Sequence, residues 1–191
     1  MKYDIVLAGV GGQGVLSVSA LIAKSAMKEG LFVKQSEVHG MAQRGGAVSA
    51  HLRISDRPVA SDLIPYGTAS MILSMEPLEA LRYLSYLGVN GTVVTSTDPV
   101  DNIPDYPRME QILVAIRSLP HSATIDAERL ARESGSVQAI NMVLAGAASG
   151  LLPIKVETMQ ESIRELFGRK GEKVVQTNLR AFETGRQAAA C

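Results

Sequence analysis

A strand-length apolar run that empties straight into a glycine-rich turn limits this chain's fold more than any other feature. Tyr3-Asp-Ile-Val-Leu-Ala8 leads into Gly9-Val-Gly11-Gly12-Gln13-Gly14, and Val15 to Ala23 then has the character of a helix. Such a turn can cradle an anion, because the first N–H groups of a helix lack partners and sit at the positive end of its dipole. The spacing of Gly9, Gly11 and Gly14 fits the G-x-G-x-x-G fingerprint of dinucleotide-binding folds. In that template Gly9 allows the tight turn, Gly11 lets backbone approach an anion, and Gly14 lets the helix pack on the strand. Gly12 and Gln13 complete the turn. The plainer alternative is a turn that only serves helix packing. A NAD site would also need an acid after the second strand, and only Glu37 qualifies.

Hydrophobic periodicity extends the pattern. Gly30 stops the first helix and Leu31-Phe-Val33 begins a second strand. Val48 to Ile54 alternates as a half-buried strand, Ser55 to Pro58 turns, and Val59-Ala-Ser61 is a candidate return strand, making an antiparallel edge hairpin. Ala69–Ser74 is the next strand, and Pro77 then opens a helix that runs to Gly88. β-Branched Thr92–Thr95 reads as a buried parallel strand, and the stretch from Asp98 to Pro107, with three prolines, as loop. A helix over 109–116, a strand over 123–125 and a helix capped by Asp126 continue the alternation. Helices over about 138–151, 157–167 and 171–186 end the chain, the last with a stripe of Val175, Leu179 and Phe182. This order predicts a single α/β domain over residues 1–191. Its sheet is Rossmann-like, open and mostly parallel, covered by helices, with an antiparallel edge hairpin and a helical C-terminal third.

The segment Glu37-Val-His39-Gly-Met-Ala-Gln-Arg44-Gly45-Gly46 has neither helical nor strand period and reads as a structured loop. It gathers a carboxylate, an imidazole, an amide and a guanidinium near the carboxyl end of the second strand, where open α/β sheets bind ligands. Arg44 beside Gly45 can offer a planar fork to phosphate or carboxylate. His39 is a candidate acid or base. The alternative is a loop that docks a partner through Arg44 and Met41. His51 and Arg53 lie on the alternating strand and read as packed or structural. His121 has no companion at metal-ligand spacing. Asn141 to Gly150 is a helix of small residues, suited to close packing within the domain or to a subunit interface.

Composition removes whole classes. With 19 basic and 19 acidic residues, 4% aromatics and no Trp, the chain shows neither the charge nor the stacking surface that nucleic acid needs. Its apolar stretch over 139–154 is too broken to span a bilayer, and Met1 leads directly into the first strand without a signal peptide, so the expected location is the cytoplasm. A single cysteine, Cys191, excludes a self-contained iron–sulfur cluster or a cysteine zinc site. No G-x-S-x-G elbow, H-E-x-x-H pair or P-loop occurs.

Gly9 to Gly14, Glu37 to Gly46, and then Val48 and His51-Leu-Arg-Ile54 together resemble the γ-type domain of 2-oxoacid:ferredoxin oxidoreductases. The second motif is most similar to that of the small (β) subunits of indolepyruvate:ferredoxin oxidoreductases. The agreement continues through Glu76-Pro-Leu-Glu-Ala80, the region of Ile125 and Asp126, Asn141-Met142 and Asn178 to Phe182. The resemblance implies a subunit of a complex that oxidatively decarboxylates arylpyruvates to aryl-acetyl-CoA and reduces ferredoxin. It implies a larger catalytic (α) subunit that carries thiamine diphosphate, magnesium and iron–sulfur clusters, since this chain has no Gly-Asp-Gly with a distant Asn and no cysteine cluster. The chain alone would then bind no cofactor and be inactive, and would close over the active site or help to place coenzyme A. For that contact the candidate residues are Gly9, Gly11, Gly12, Gln13, Gly14, Glu37, His39, Arg44 and Gly45. The rival readings are a stand-alone Rossmann-type NAD(P) oxidoreductase and a non-enzymatic nucleotide-binding module. Neither explains the motif from His39 to Arg44.

Overall fold

The computed structural model describes residues 1–39, 45–101 and 103–189, with His39 described by its backbone alone. Six strands form one sheet: β1 (Lys2–Val10), β2 (Phe32–His39), β3 (Ala47–Ser55), β4 (Ala69–Ser74), β5 (Leu87–Ser96) and β6 (Ser122–Ile125), in the order β2-β3-β1-β4-β5-β6. The pairs β1–β4, β4–β5 and β5–β6 are parallel, whereas β3 is antiparallel to both β1 and β2. The expected α/β architecture with an antiparallel edge hairpin is therefore present. Its hairpin partner is not residues 59–61, which form no strand, but β2.

Helices cover both faces. They are α1 (Val15–Lys28), α2 (Pro77–Arg82), α3 (Met109–Arg117), α4 (Ala127–Glu133), α5 (Ile140–Ser149), α6 (Val156–Phe167) and α7 (Glu172–Ala189). Alternation along β1 divides the core. Ile5 and Leu7 join the apolar cluster with α1, α5, α6 and α7, while Val6 joins the smaller one with Ala80, Ile112 and Ile116 of α2 and α3. The small-residue helix α5 is buried from Met142 to Ser149, so its smooth surface serves packing inside the domain.

Three further expectations change. β2 runs on to His39 because β3 offers its last residues a complete ladder, with Glu37 opposite Ala50, Val38 opposite Ser49 and His39 opposite Val48. Pairing of that kind outweighs a weak local pattern. The helix opened by Pro77 stops at Arg82, a 3₁₀ turn follows over Leu84–Tyr86, and Gly88 lies inside β5. There a Cβ would stand 3.2 Å from the Ala69 carbonyl oxygen, so the glycine serves a close strand approach, not a helix stop. Third, β3 is buried on both faces. Ala50, Leu52 and Ile54 meet the larger core, and the 56–66 loop folds over His51 and Arg53.

That loop is held by polar groups on β3. Arg53 pairs with Asp4 through Nε–Oδ1 at 3.0 Å and Nη2–Oδ2 at 3.2 Å, and its Nη1 donates to the carbonyls of Ser61 and Leu63. His51 Nδ1 accepts the Ile64 N–H at 3.0 Å, and its ring meets Tyr86 edge-on at 5.0 Å. Both side chains are structural, as the sequence indicated. No helix among the described residues is long and apolar enough to cross a membrane.

Candidate functional site

The glycine turn and the tip of the β2–β3 hairpin meet at one end of the sheet. Register lines up Gly9, Val48 and His39 across three strands. Gly11 N–H donates to the Gly46 carbonyl at 2.9 Å, tying the two motifs together directly. Gly45, with φ 77°, takes the left-handed conformation that favours glycine beside that joint. Arg44 lies outside the described residues, as do Gly40 to Gln43.

The glycines divide their work differently from the dinucleotide template. Gly9 belongs to β1, and a Cβ there would stand 2.8 Å from Val15 Cγ2 and 2.9 Å from Gln13 Oε1, so it is required for packing. The sharp turn is made by Gly12 and Gly14, at φ 103° and 81°. Gly14 is hemmed in by α5, since a Cβ would fall 2.6 Å from Asn141 Nδ2, whereas Gly12 faces open space. Gln13 clamps the turn: its Oε1 accepts the Val10 N–H at 2.7 Å and its Nε2 donates to the Met75 carbonyl at 3.2 Å. The side chain thus joins the ends of β1 and β4.

With Gly11 engaged, the anion-seeking groups lie one step further on. Gly14 caps α1 without a side-chain acceptor, and no acceptor among the described residues takes the N–H of Gly12, Val15 or Leu16. Unpaired donors at a helix start form an anion-binding concavity. A cavity of about 310 Å³ opens there between Gly11, Gly12, Gly14, Leu16 and Val48. A neighbouring one of about 280 Å³ lies between Gly12, Gln13, Asp98, Glu128, Gln138 and Asn141.

Its outer wall is fixed by a half-buried carboxylate, Asp98, and by buried Glu76 behind it. Asp98 Oδ2 accepts from Ser96 Oγ at 2.6 Å and from the Glu128 N–H at 2.8 Å. Glu76, 1% exposed, accepts the Glu79 N–H at 2.7 Å, the Val100 N–H at 3.5 Å and the Tyr106 hydroxyl. Burial, then that bond to Glu76, raises the Tyr106 hydroxyl well above its ordinary range. Burial also raises the carboxyl of Glu79, against the pull of Arg82. Asp98 was missed as a site residue because its loop has no periodic pattern, and Glu128 because in the first turn of α4 it reads as an ordinary surface acid. Asn141 and Glu76 stood within segments of the family resemblance, but nothing local told their roles.

The remaining candidates separate. Glu37 is exposed on β2, where it accepts from Gln35 Nε2. Two strand spacings, about 10 Å, lie between β2 and β1, so the structure does not bring Glu37 to the turn as a ribose-binding acid. His39 ends β2 in register with Gly9 but likewise two strands away, so its backbone lies beside the hairpin tip. Among the described residues no group of three or more His, Cys, Asp or Glu could hold a metal ion.

The chain as a whole has close counterparts in sequence and in fold. The sequence model of the pyruvate ferredoxin/flavodoxin oxidoreductase family matches residues 4–188. The chain belongs to that family and is a subunit of a 2-oxoacid:ferredoxin oxidoreductase complex. It is 40% identical to the indolepyruvate oxidoreductase subunit IorB of Archaeoglobus fulgidus, over 99% of this chain and 96% of that one. The 2-oxoglutarate:ferredoxin oxidoreductase of Magnetococcus marinus, solved with 2-oxoglutarate, coenzyme A and succinyl-CoA bound, superposes with a TM-score of 0.80 at 25% identity. The match takes in 99% of this chain but 31% of that one, so this chain corresponds to one portion of a larger polypeptide. The γ subunit of a keto/oxoacid ferredoxin oxidoreductase from Geobacter sulfurreducens shares the fold, with a TM-score of 0.75 at 23% identity and coverage of 100% of this chain and 97% of that one.

Proposed function

We propose that this chain is the small, non-cofactor-bearing subunit of a complex that oxidatively decarboxylates arylpyruvates, indolepyruvate among them, to aryl-acetyl-CoA and reduces ferredoxin. Nearly full-length similarity to an indolepyruvate oxidoreductase subunit supports the substrate class. A single cysteine and the lack of a metal-binding cluster among the described residues support placing thiamine diphosphate, magnesium and iron–sulfur clusters on a larger partner. When bound there, those groups supply the carbanion and electron chemistry. What this chain supplies is position: it docks on the partner, covers the reacting site and helps to place coenzyme A. The carrying observation is the row of N–H donors at Gly12, Val15 and Leu16 facing a cavity beside the hairpin that bears Arg44. A phosphate oxygen of coenzyme A would accept from those donors, with Arg44 adding a charge-assisted bond.

The test is an anaerobic pull-down of the tagged chain from its native cells, with iron and thiamine diphosphate assayed in the eluate. The expected result is a stoichiometric larger partner that carries both and reduces ferredoxin only when indolepyruvate and coenzyme A are present. A partner-free, cofactor-free chain that binds NADH at micromolar concentration would overturn the reading. Within the assembled complex, Arg44→Ala should raise the KM for coenzyme A. An unchanged KM with intact assembly removes that role from Arg44.

A further inference from the structure

A cavity of about 420 Å³ opens beside Ser17 of α1, between the 135–139 segment, the end of α6 and the start of α7. That size is typical of small-molecule sites. Some of its polar side chains keep unpaired groups. Asn178 is 7% exposed, and its Nδ2 donates to the Val174 carbonyl at 2.8 Å, which orients the amide and leaves Oδ1 without a donor among the described residues. Gln138 and Asn141 line the same cavity, and their side chains make no hydrogen bond among the described residues. The unpaired Oδ1 of a residue that lines the cavity gives its wall an acceptor for an N–H or O–H.

Charge points the same way. Lys170 and Lys173 line the cavity and no carboxylate does. Neither ammonium has an acidic partner among the described residues, whereas Lys2, Lys24 and Lys28 each have one. Both lysines sit at the N-terminal end of the 18-residue α7, where the helix dipole disfavours a cation. Glu172, the acid of that first turn, accepts from Gln176 and is not part of the lining. The Phe167 ring, 5.5 Å from Lys170 Nζ, adds a flat apolar wall. Two cations reinforced by a helix dipole match a dianion better than a single carboxylate.

We propose that this cavity binds a small phosphorylated molecule, with its phosphate between Lys170 and Lys173 and an N–H or O–H of its body on Asn178 Oδ1. Gln138 and Asn141 line both this cavity and the one beside the glycine turn, but the lysines belong to this cavity alone and the proposal does not depend on the coenzyme A role assigned to the turn. Isothermal titration of the full chain with inorganic phosphate and with adenosine monophosphate tests it. The nucleotide should bind saturably and more tightly than phosphate, because only it has an amino donor and a ring to lie on Phe167. The exposed pair Lys170→Gln/Lys173→Gln, checked for an unchanged unfolding temperature, should weaken the nucleotide by about tenfold or more. Coenzyme A added as a competitor separates two sources of the same chemistry. Displacement of the nucleotide would assign the lysines to a phosphate of coenzyme A, and coexistence would assign them to a separate phosphorylated metabolite. No saturable binding at millimolar probe, or equal binding by the double lysine variant, overturns the proposal.

Discussion

Gly146 of α5 and Phe182 of α7 meet backbone to backbone: a Cβ on Gly146 would lie 1.8 Å from the Phe182 carbonyl oxygen. Gly185 makes the reciprocal contact, its Cβ falling 1.9 Å from the Val143 carbonyl oxygen. In an isolated helix Gly→Ala would stabilise by about 1 kcal/mol. Here rigid backbone blocks the methyl group, and the helices must separate. Gly146→Ala should therefore destabilise the chain by about 3 kcal/mol, read as the shift in urea midpoint at constant slope. A stabilised variant would show that the crossing is looser than the geometry states.

The buried pair of Asp4 and Arg53 predicts an asymmetric response. Asp4→Ala strands a guanidinium that is 7% exposed and should cost about 3–5 kcal/mol. Replacing both, as Asp4→Ala/Arg53→Met, should cost less than the sum of the single changes, because no buried charge is left unpaired and the exposed Lys2 stays solvated. Denaturant melts of the three variants complete the cycle.

His51 predicts a pH dependence. Burial first, and then the nearby Arg53 charge, lower its pKa below the ordinary value, and its Nδ1 must stay unprotonated to accept the Ile64 N–H. The unfolded chain takes up this proton near pH 6.5, before the folded chain does. The contribution of His51 is then complete above about pH 6.5 and is lost as pH falls towards the depressed folded value. Thermal unfolding should move to lower temperature as the pH drops from 7 to 5. His51→Gln should flatten that slope relative to the unsubstituted chain. Equal slopes would remove His51 from the acid response.

Gln13 joins a stability effect to a functional one. Gln13→Ala leaves the Val10 N–H and the Met75 carbonyl without their partner, at a cost of about 1–3 kcal/mol. Because the clamp also fixes the turn that bears the free N–H donors, the same variant in the complex should raise the KM for coenzyme A more than it lowers kcat. An unchanged KM would confine Gln13 to folding.

Much of the fold was legible because local chemistry agreed with it. Pro77 at the start of α2, Asp126 accepting the Arg129 N–H before α4, and Gly30 at φ 77° after α1 all act through neighbours in sequence. β2 was cut short for the opposite reason: its last three residues become strand only through β3. The turn was visible in outline, yet the task of each glycine was not. Gly9 answers to Val15 and Gln13, but Gly14 answers to Asn141, more than a hundred residues away.

The sequence by itself determined a strand, a glycine turn and a helix in that order, an α/β chain without the cysteines of an iron–sulfur centre, and the family whose motifs it bears. These are statements about composition and near neighbours, where residue type and spacing are sufficient. Only the tertiary structure decided that Gly11 binds Gly46, that Asp98, Glu128 and Asn141 wall the cavity beside the turn, and that the 56–66 loop buries His51 and Arg53. Each depends on which strand lies beside which, and strand order is set by burial of both sheet faces, not by any local run of residues.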